Sequence, residues 1–220
     1  PLKNMPSISL TNPNNITSLR FNAISTIQKL GGTIESLDVF SNLQSFFIRG
    51  HDLTGNIPTL SNITTLTVFE CHFNQLTGSI PTLSSNTNLE IFHCHFNQLT
   101  GSIPSLSSNT NLRLFRCQQN QLTGTIPDLS SNTSLVRFYC FRNNLSGVAS
   151  GFGVPSTLLD FRAENNNLTE AAVDAILAAF VAAGSNDGIL YVGGSNAFPS
   201  GQGLFDASTL NARGWNVQIS

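Results

Sequence analysis

The feature that most constrains this chain is a block of 23 residues that recurs along it. Residues 76–98 (LTGSIPTLSSNTNLEIFHCHFNQ), 99–121 and 122–144 are close copies of one another. The leucine that opens each block recurs at the same interval, at Leu30, Leu53, Leu76, Leu99, Leu122, Leu145 and Leu168. A fixed period of this length predicts a solenoid, in which each turn of the chain covers the apolar face of its neighbour.

Within each block, the segment L-x-x-F-x-C-x-x-N-x-L predicts a short strand, most clearly in 66–76, 89–99 and 112–122. Alternation places the Phe and Cys side chains on the inner side, and stacked turns pair these strands into a parallel sheet with strands ~4.8 Å apart. Burial of each aromatic ring contributes roughly 2–3 kcal/mol. The predicted inner spine consists of Phe46, Phe69, Phe92, Phe115, Phe138 and Phe161.

The cysteines follow the same period, at Cys71, Cys94, Cys117 and Cys140. Disulfide frameworks have irregular spacings and metal sites have C-x-x-C pairs, and neither pattern is found here. We therefore interpret the cysteines as a column of small buried residues, with Ile48 and Ala163 in the same slot of the flanking turns.

A column of asparagines marks the point where each strand turns away, at Asn74, Asn97, Asn120, Asn143 and Asn166. Their amides are expected to bond backbone groups of the adjacent turn, because a buried bend must satisfy its peptide groups.

The two ends depart from the repeat. Residues 1–29 are predicted to form an N-terminal cap or one degenerate repeat, residues 30–168 the repeats, and residues 169–220 a C-terminal cap. In the first segment, the residues expected to cover the first turn are Ile16, Leu19, Phe21, Ile24 and Ile27. In the last, Thr169 is expected to cap a helix that runs to about Ala183 and stops at Gly184. A strand near 189–192, a loop containing Pro199 and a closing segment over 210–220 should follow.

The amino-acid composition argues against two classes of function, nucleic-acid binding and membrane insertion. Only 10% of the residues are charged, with 10 Lys+Arg against 12 Asp+Glu, which argues against nucleic-acid binding. The longest apolar stretch, 171–183, is too short to span a membrane and contains Asp174, so no membrane insertion is expected.

The pattern L-x-x-L-x-L-x-x-N-x-L followed by T-G-x-I-P-x-L resembles a leucine-rich repeat of the subtype best known from plant extracellular proteins. The resemblance covers 30–168. It implies an α/β solenoid, a right-handed superhelix with a parallel sheet on its concave side and an irregular or 3-10 convex side. The period is one residue shorter than usual for that subtype and the cysteine-paired caps are absent, which argues against a plant receptor or a polygalacturonase inhibitor. The C-terminal segment resembles the cap of leucine-rich repeat proteins of bacteriophages and environmental bacteria.

Blocks 76–98 and 99–121 differ at six positions, and five of these flank the buried Phe and Cys. The exposed strand face has therefore diverged, whereas the segment SSNTN, which we also expect to be exposed, is unchanged. This contrast favours a recognition surface over random drift. The differing pairs are Glu90/Arg113, Ile91/Leu114, His93/Arg116, His95/Gln118, Phe96/Gln119 and Thr82/Ser105.

Aromatic rings beside Arg, His and Gln donors on this face suit a sugar or a protein contact. The predicted ligand-binding residues are Phe47, Glu70, His93, His95, Arg116, Arg137, Tyr139, Phe141, Arg142 and Arg162. Phe73 and Phe96, which come just after the Phe–Cys segment, are expected to tuck under the turn instead.

Metal binding and catalysis are two chemical roles for the same face, and the sequence argues against both. Glu70, His72, His93 and His95 are residues that ligate zinc or nickel, but a flat, open site without supporting side chains predicts no metal. No Ser–His–acid signature or Gly-rich phosphate loop is present, so the chain is predicted to be non-catalytic and without a cofactor.

We therefore expect a recognition or adhesion module that binds a glycan or a protein through the concave sheet, outside the cell or on a phage virion or microbial surface. The alternative is a structural virion or filament component that self-assembles or attaches to a larger particle. A third hypothesis is that the chain is an inhibitor or an immune-type receptor domain.

Overall fold

The repeat builds one sheet of nine parallel strands. In this computed structural model, which describes residues 13–22 and 29–220, each turn of the chain adds one strand beside the previous one. Strands are labelled in chain order, and those of the main sheet lie in the order β1 (Ser18–Asn22), β3 (Ser45–Arg49), β5 (Val68–Glu70), β6 (Ile91–His93), β7 (Leu114–Arg116), β9 (Arg137–Tyr139), β11 (Asp160–Arg162), β12 (Ile189–Tyr191) and β13 (Asn216–Gln218). The predicted α/β solenoid is confirmed.

The opposite side of the solenoid contains turns and two small parallel pairs of strands. These are β2 (Gly31–Thr33) with β4 (Asp52–Thr54), and β8 (Thr123–Ile126) with β10 (Asn144–Val148). Turns such as the one between β8 and β9, in which Asn132 N donates to Leu129 O (3.0 Å), connect them to the main sheet. Among the described residues, the 3-10 conformation occurs at Pro13–Asn15, before β1, and not on the convex side of the repeats.

The phenylalanine spine is confirmed as the centre of the core. Its six rings are at most 2% exposed, and neighbouring rings stack with centroids 5.3–5.6 Å apart. Phe21 and Phe180 extend the row at its two ends with edge-on contacts. Because every turn presents the same ring at the same place, the core is continuous from the first strand to the C-terminal helix.

The cysteine column is confirmed as well. All four thiols are free and fully buried, and Ile48 and Ala163 are equally buried in the flanking turns. Burial raises the pKa of each thiol well above its usual value, so the column is neutral at physiological pH.

The asparagine ladder forms the hydrogen bonds expected from the sequence. Asn97 Nδ2 donates to the carbonyl oxygens of Cys71 (3.2 Å) and Cys94 (3.0 Å), and its Oδ1 accepts from Leu76 N (3.0 Å). The ladder also extends beyond the repeat pattern. His51 Nδ1 accepts from Leu30 N (3.2 Å) in the first turns, and Asn196 Oδ1 accepts from Leu168 N (3.0 Å) in the last.

A second column of buried asparagines was not predicted. Asn86, Asn109 and Asn132 are fully buried within the SSNTN segment, which we expected to be exposed. Each side-chain amide donates to two backbone carbonyls, which for Asn109 are those of Leu83 (3.0 Å) and Asn86 (2.8 Å). Burial therefore explains the invariance of the central asparagine, whereas its neighbours Thr87 and Asn88 are exposed as expected and are also unchanged.

The C-terminal helix α1 (Glu170–Ala183) begins and ends as predicted. Thr169 Oγ1 accepts from Ala172 N (3.3 Å), and Gly184 takes a left-handed conformation with φ 74°. The residues buried on its inner face include Val173, Ile176, Leu177 and Phe180. Among the described residues, no helix is long and apolar enough to cross a membrane.

A second helix, α2 (Gly201–Ala212), lies where we expected a loop and the start of the closing segment. The sequence did not predict this helix because its first turn contains Gly201 and Gly203, and glycine has a low helix propensity. Ser200 caps this helix, and its Leu210 is buried. The segment limits at 29 and 168 remain predictions, and Ile24 and Ile27 lie outside the described residues.

Candidate ligand-binding face

The outward side of the nine-stranded sheet, opposite the phenylalanine spine, is called the sheet face. Residues one position after each spine Phe point to this side because side chains alternate along a strand. The strand register sets these residues side by side in one column: Arg20, Phe47, Glu70, His93, Arg116, Tyr139, Arg162, Tyr191 and Gln218. The repeat thus converts positions 23 residues apart into direct neighbours.

The structure brings the predicted binding residues together. Phe47, Glu70, His93, Arg116, Tyr139 and Arg162 belong to the column above, and Arg137 lies two residues before Tyr139 on β9. His95 and Phe141 lie two residues beyond the ends of β6 and β9. Arg142 lies at the rim, in the turn after β9, with a left-handed φ of 53°. Their role in binding remains a prediction.

Half-buried side chains on β7, β9, β11 and β12 form one connected set, which we call the arginine–tyrosine network. The guanidinium carbon of Arg116 lies 5.0 Å from the Tyr139 ring centroid, and that of Arg162 lies 5.1 Å from it and 5.2 Å from the Tyr191 ring centroid. These distances are those of cation–π contacts. The network presents alternating guanidinium groups and aromatic rings across four adjacent strands.

Asp160 holds this network in place. Its carboxylate accepts from Arg162 Nε (2.8 Å) and from the Tyr139 hydroxyl. Burial and the neighbouring Asp160 raise the pKa of Tyr139, whereas the hydrogen bond to Asp160 raises the pKa of Arg162. The phenol therefore stays neutral and the guanidinium charged at physiological pH.

Sequence reasoning did not select Asp160 or Tyr191 as site residues. Asp160 is the direct register partner of the selected residue Arg137, so the 23-residue spacing was the available signal. Tyr191 lies beyond the point where the period breaks, and only its strand pairing with Arg162 places it in the column.

A second set on the sheet face, the histidine cluster, consists of Glu70, His72, His93 and His95. His93 Nδ1 lies 3.5 Å from Glu70 Oε1, and the rings of His72 and His95 stack with centroids 4.4 Å apart. Each of the four residues is at most 9% exposed, although the sequence placed them on an open surface. They are buried because broad side chains on strands ~4.8 Å apart cover one another.

Burial also sets the charge of these histidines. Desolvation lowers the pKa of His72 to about 4 and that of His95 to about 3, against the partial counter-effect of Glu70. Conversely, the hydrogen bond from His93 lowers the pKa of Glu70. At pH 7, His72 and His95 are thus neutral and Glu70 is ionised.

These shifts predict that the protein loses stability in mild acid. Below pH ~6.5 the unfolded chain protonates His72 and His95 while the folded chain does not, so the free energy of unfolding falls as the pH drops. Two complete shifts would lower it by about 4 kcal/mol between pH 7 and pH 5, and screening by water reduces this to roughly 2 kcal/mol. The titratable side chains that face the two rings are Glu70 and His93, together with the guanidinium groups of Arg49 and Arg116.

Urea titrations at pH 7, 6 and 5 measure this loss. The control is His95→Gln, since glutamine occupies the equivalent position at Gln118 in the next turn. The variant should lose about half of the pH dependence. An unchanged dependence in the variant contradicts the assignment to His95.

Phe73 and Phe96 do not tuck under the turn, so that expectation was wrong. Their rings are 49% and 38% exposed and stack on each other with centroids 4.4 Å apart. Left-handed φ angles of 56° and 54° turn both side chains outward at the rim of the sheet face. The same backbone conformation recurs at Gln119, Arg142 and Asn165.

Comparison with solved structures identifies the architecture. The receptor kinase HAESA from Arabidopsis, solved with the peptide hormone IDA and the co-receptor SERK1, is 30% identical with a TM-score of 0.62, over 76% of this chain and 28% of that one. The leucine-rich repeat ectodomain of the Arabidopsis thaliana receptor kinase GASSHO1/SCHENGEN3, solved with CASPARIAN STRIP INTEGRITY FACTOR 2, is 21% identical with a TM-score of 0.58, over 87% and 28%. The chain has the leucine-rich repeat solenoid fold.

A third leucine-rich repeat neighbour is the plant peptide hormone receptor RGFR1, solved with RGF2, at 25% identity and a TM-score of 0.53, over 76% of this chain and 30% of that one. The present leucine-rich repeat chain thus spans less than a third of the length of each of these proteins. No family model and no curated protein matches the sequence. The repeat subtype and the origin of the C-terminal cap remain predictions.

Proposed function

We propose that this leucine-rich repeat chain is a non-catalytic recognition module that binds an extended segment of a protein partner outside the cell. The observation that carries the proposal is the arginine–tyrosine network on the sheet face. Tyr and Arg are the side chains most enriched at protein-binding hot spots, because they combine a large contact area with directional polar groups. Here Asp160 fixes Tyr139 and Arg162, so these two side chains lose little conformational entropy when a ligand binds.

The dimensions of the face suit an extended ligand. Nine strands at ~4.8 Å spacing make a column roughly 38 Å long, which equals the length of about 11 extended residues. A segment that crosses the strands would meet successive side chains of the column, from Arg20 at one end to Gln218 at the other. Specificity would then come from the order of side chains along the column.

The solved neighbours support this ligand class, since HAESA was solved in complex with a peptide hormone and RGFR1 is a plant peptide hormone receptor. One neighbour is described as an ectodomain, which supports an extracellular location. Binding of a glycan, adhesion, and a place on a phage virion or microbial surface remain predictions.

The test is selection of peptides of about 12 residues from a random displayed library on the purified chain, followed by anisotropy titration of the selected peptide. The variant Arg116→Ala/Tyr139→Ala removes the centre of the network. We expect its affinity to fall by roughly 10- to 100-fold, as for loss of hot-spot residues.

The matched control is Ser108→Ala/Ser131→Ala, which truncates two exposed side chains on the opposite side of the solenoid. It should bind as the natural chain does, and both variants should melt cooperatively near its melting temperature. Equal affinity of all three proteins contradicts the proposal. If a panel of polysaccharides binds in place of peptides and the network variant loses that binding, the ligand is a glycan.

Assembly into a larger particle is a second candidate, and one observation favours it. The C-terminal cap exposes three large apolar side chains, Phe198 (56%), Leu204 (41%) and Phe205 (67%). Sedimentation velocity on the same sample separates the candidates: a monomer that binds peptide supports recognition, whereas concentration-dependent self-association without peptide binding supports assembly.

A further inference from the structure

We propose that Glu70, His72 and His93 form a binding site for one divalent transition-metal ion of the Zn²⁺ type. The site lies on the sheet face, between β5 and β6, and it does not depend on the proposed recognition of a peptide. It contradicts the expectation from the sequence, which predicted no metal because the site was judged to be open and unsupported.

The geometry brings three suitable ligands together. One ligand atom from each of the three side chains lies within 4.8 Å of the others. Bonds of ~2.0–2.2 Å to a tetrahedral zinc ion set nitrogen and oxygen ligands about 3.4 Å apart, so small side-chain rotations complete the site. Two imidazoles and one carboxylate are a donor set that binds zinc and leaves a fourth position open.

The burial of unpaired nitrogen atoms points to a missing partner. His72 Nδ1 and His93 Nε2 are shielded from solvent, and neither has a hydrogen-bond partner among the described residues. Both side chains are 8% exposed. A buried polar atom without a partner destabilises the fold by ~1–3 kcal/mol, and a metal ion would remove that cost for a ligating nitrogen.

A neighbouring arginine supplies the support that the sequence did not show. Arg49 Nη1 lies 3.3 Å from Glu70 Oε2, the oxygen that does not face His93, and thereby orients the carboxylate. Contacts of this kind, which hold ligands in place, strengthen metal binding by roughly 10- to 100-fold.

The open fourth position faces the sheet face, beside Arg116, the register partner of His93. A carboxylate or imidazole of a bound partner, or water, could complete the coordination there.

Isothermal titration of the untagged chain with ZnCl₂ tests the site, with His72→Gln and Glu70→Gln as ligand variants and His95→Gln as the matched control. All three exchange a buried side chain of the same cluster. We expect one ion per natural chain, an affinity at least roughly tenfold weaker in each ligand variant, and an affinity within about threefold of the natural one in His95→Gln. Each metal-free variant is first checked for a cooperative melting transition.

A second measurement needs no variant. The chain has four histidines, so NMR of their ring protons during the zinc titration shows which of them bind. The ring-proton signals of His72 and His93 should shift in proportion to bound zinc. The signals of His51, whose ring nitrogens are hydrogen-bonded to Leu30 N and Phe21 O, should stay unchanged. Absence of saturable zinc binding at millimolar concentration, or binding with His72 and His93 unshifted, overturns the proposal.

Discussion

Replacing Phe115 by alanine is expected to lower the free energy of unfolding by about 3–5 kcal/mol. The ring is fully buried at the centre of the spine and stacks on Phe92 and Phe138 with centroids 5.5 and 5.3 Å apart. Its removal leaves a cavity that the turns on either side cannot close, because both are held in register by the sheet. In a solenoid, such a defect also weakens the coupling between the two halves. Urea titration monitored by circular dichroism measures the loss.

Phe96→Ala is the matched control for this prediction. It removes the same ring from the adjacent turn, but that ring is 38% exposed and its ring contacts are with His95 and Phe73. We expect a loss of about 1 kcal/mol or less. Similar losses in the two variants would show that the spine is not the centre of the core.

Replacing Asn109 by alanine is expected to cost about 3 kcal/mol. The side chain is fully buried, and its removal takes one of two donors from each of the backbone carbonyls of Leu83 and Asn86, which keep only the bonds from Asn86 N (2.9 Å) and Leu89 N (3.0 Å). The loss consists of two buried hydrogen bonds, which contribute about 1 kcal/mol each, and of the small cavity that the shorter side chain leaves in the interior. The same urea titration measures this change.

Asn111→Ala supplies the comparison for Asn109. Asn111 lies two residues further along the same turn and donates one hydrogen bond, to Thr87 O (3.1 Å), at the exposed surface. Water replaces that bond when the side chain is removed, so we expect a loss of less than about 0.5 kcal/mol. Equal losses for the two asparagines would mean that burial adds nothing to the contribution of Asn109.

The inner columns could be predicted because each residue in them meets a copy of itself. Phe92 stacks on Phe69 and Phe115, and Asn97 bonds the backbone at Cys71 and Leu76, in surroundings that the next turn repeats. One repeat therefore contains all the information needed to place the spine, the cysteines and the ladder. The boundaries of α1 were predictable for a local reason, since Thr169 and Gly184 act on the adjacent helix ends.

The sheet face could be predicted only as a set of residues that share one side. Its side chains differ from turn to turn, so their burial depends on which pairs meet across the strands. Where Glu70 lies beside His93, the histidine cluster is buried. Where Arg116 lies beside Tyr139, the arginine–tyrosine network is only half-buried. Likewise, the exposure of Phe73 depends on its left-handed φ angle, which the sequence did not indicate because the position is not a glycine.

The solenoid, its inner columns and the side on which the predicted binding residues lie follow from the sequence, because a 23-residue period fixes which positions become neighbours. The tertiary structure alone decided that Asn86 is buried, that Phe96 is exposed, that residues 201–212 form a helix and that three ligating side chains converge between β5 and β6. Each of these depends on backbone dihedral angles or on contacts between unlike side chains of successive turns, which periodicity does not encode.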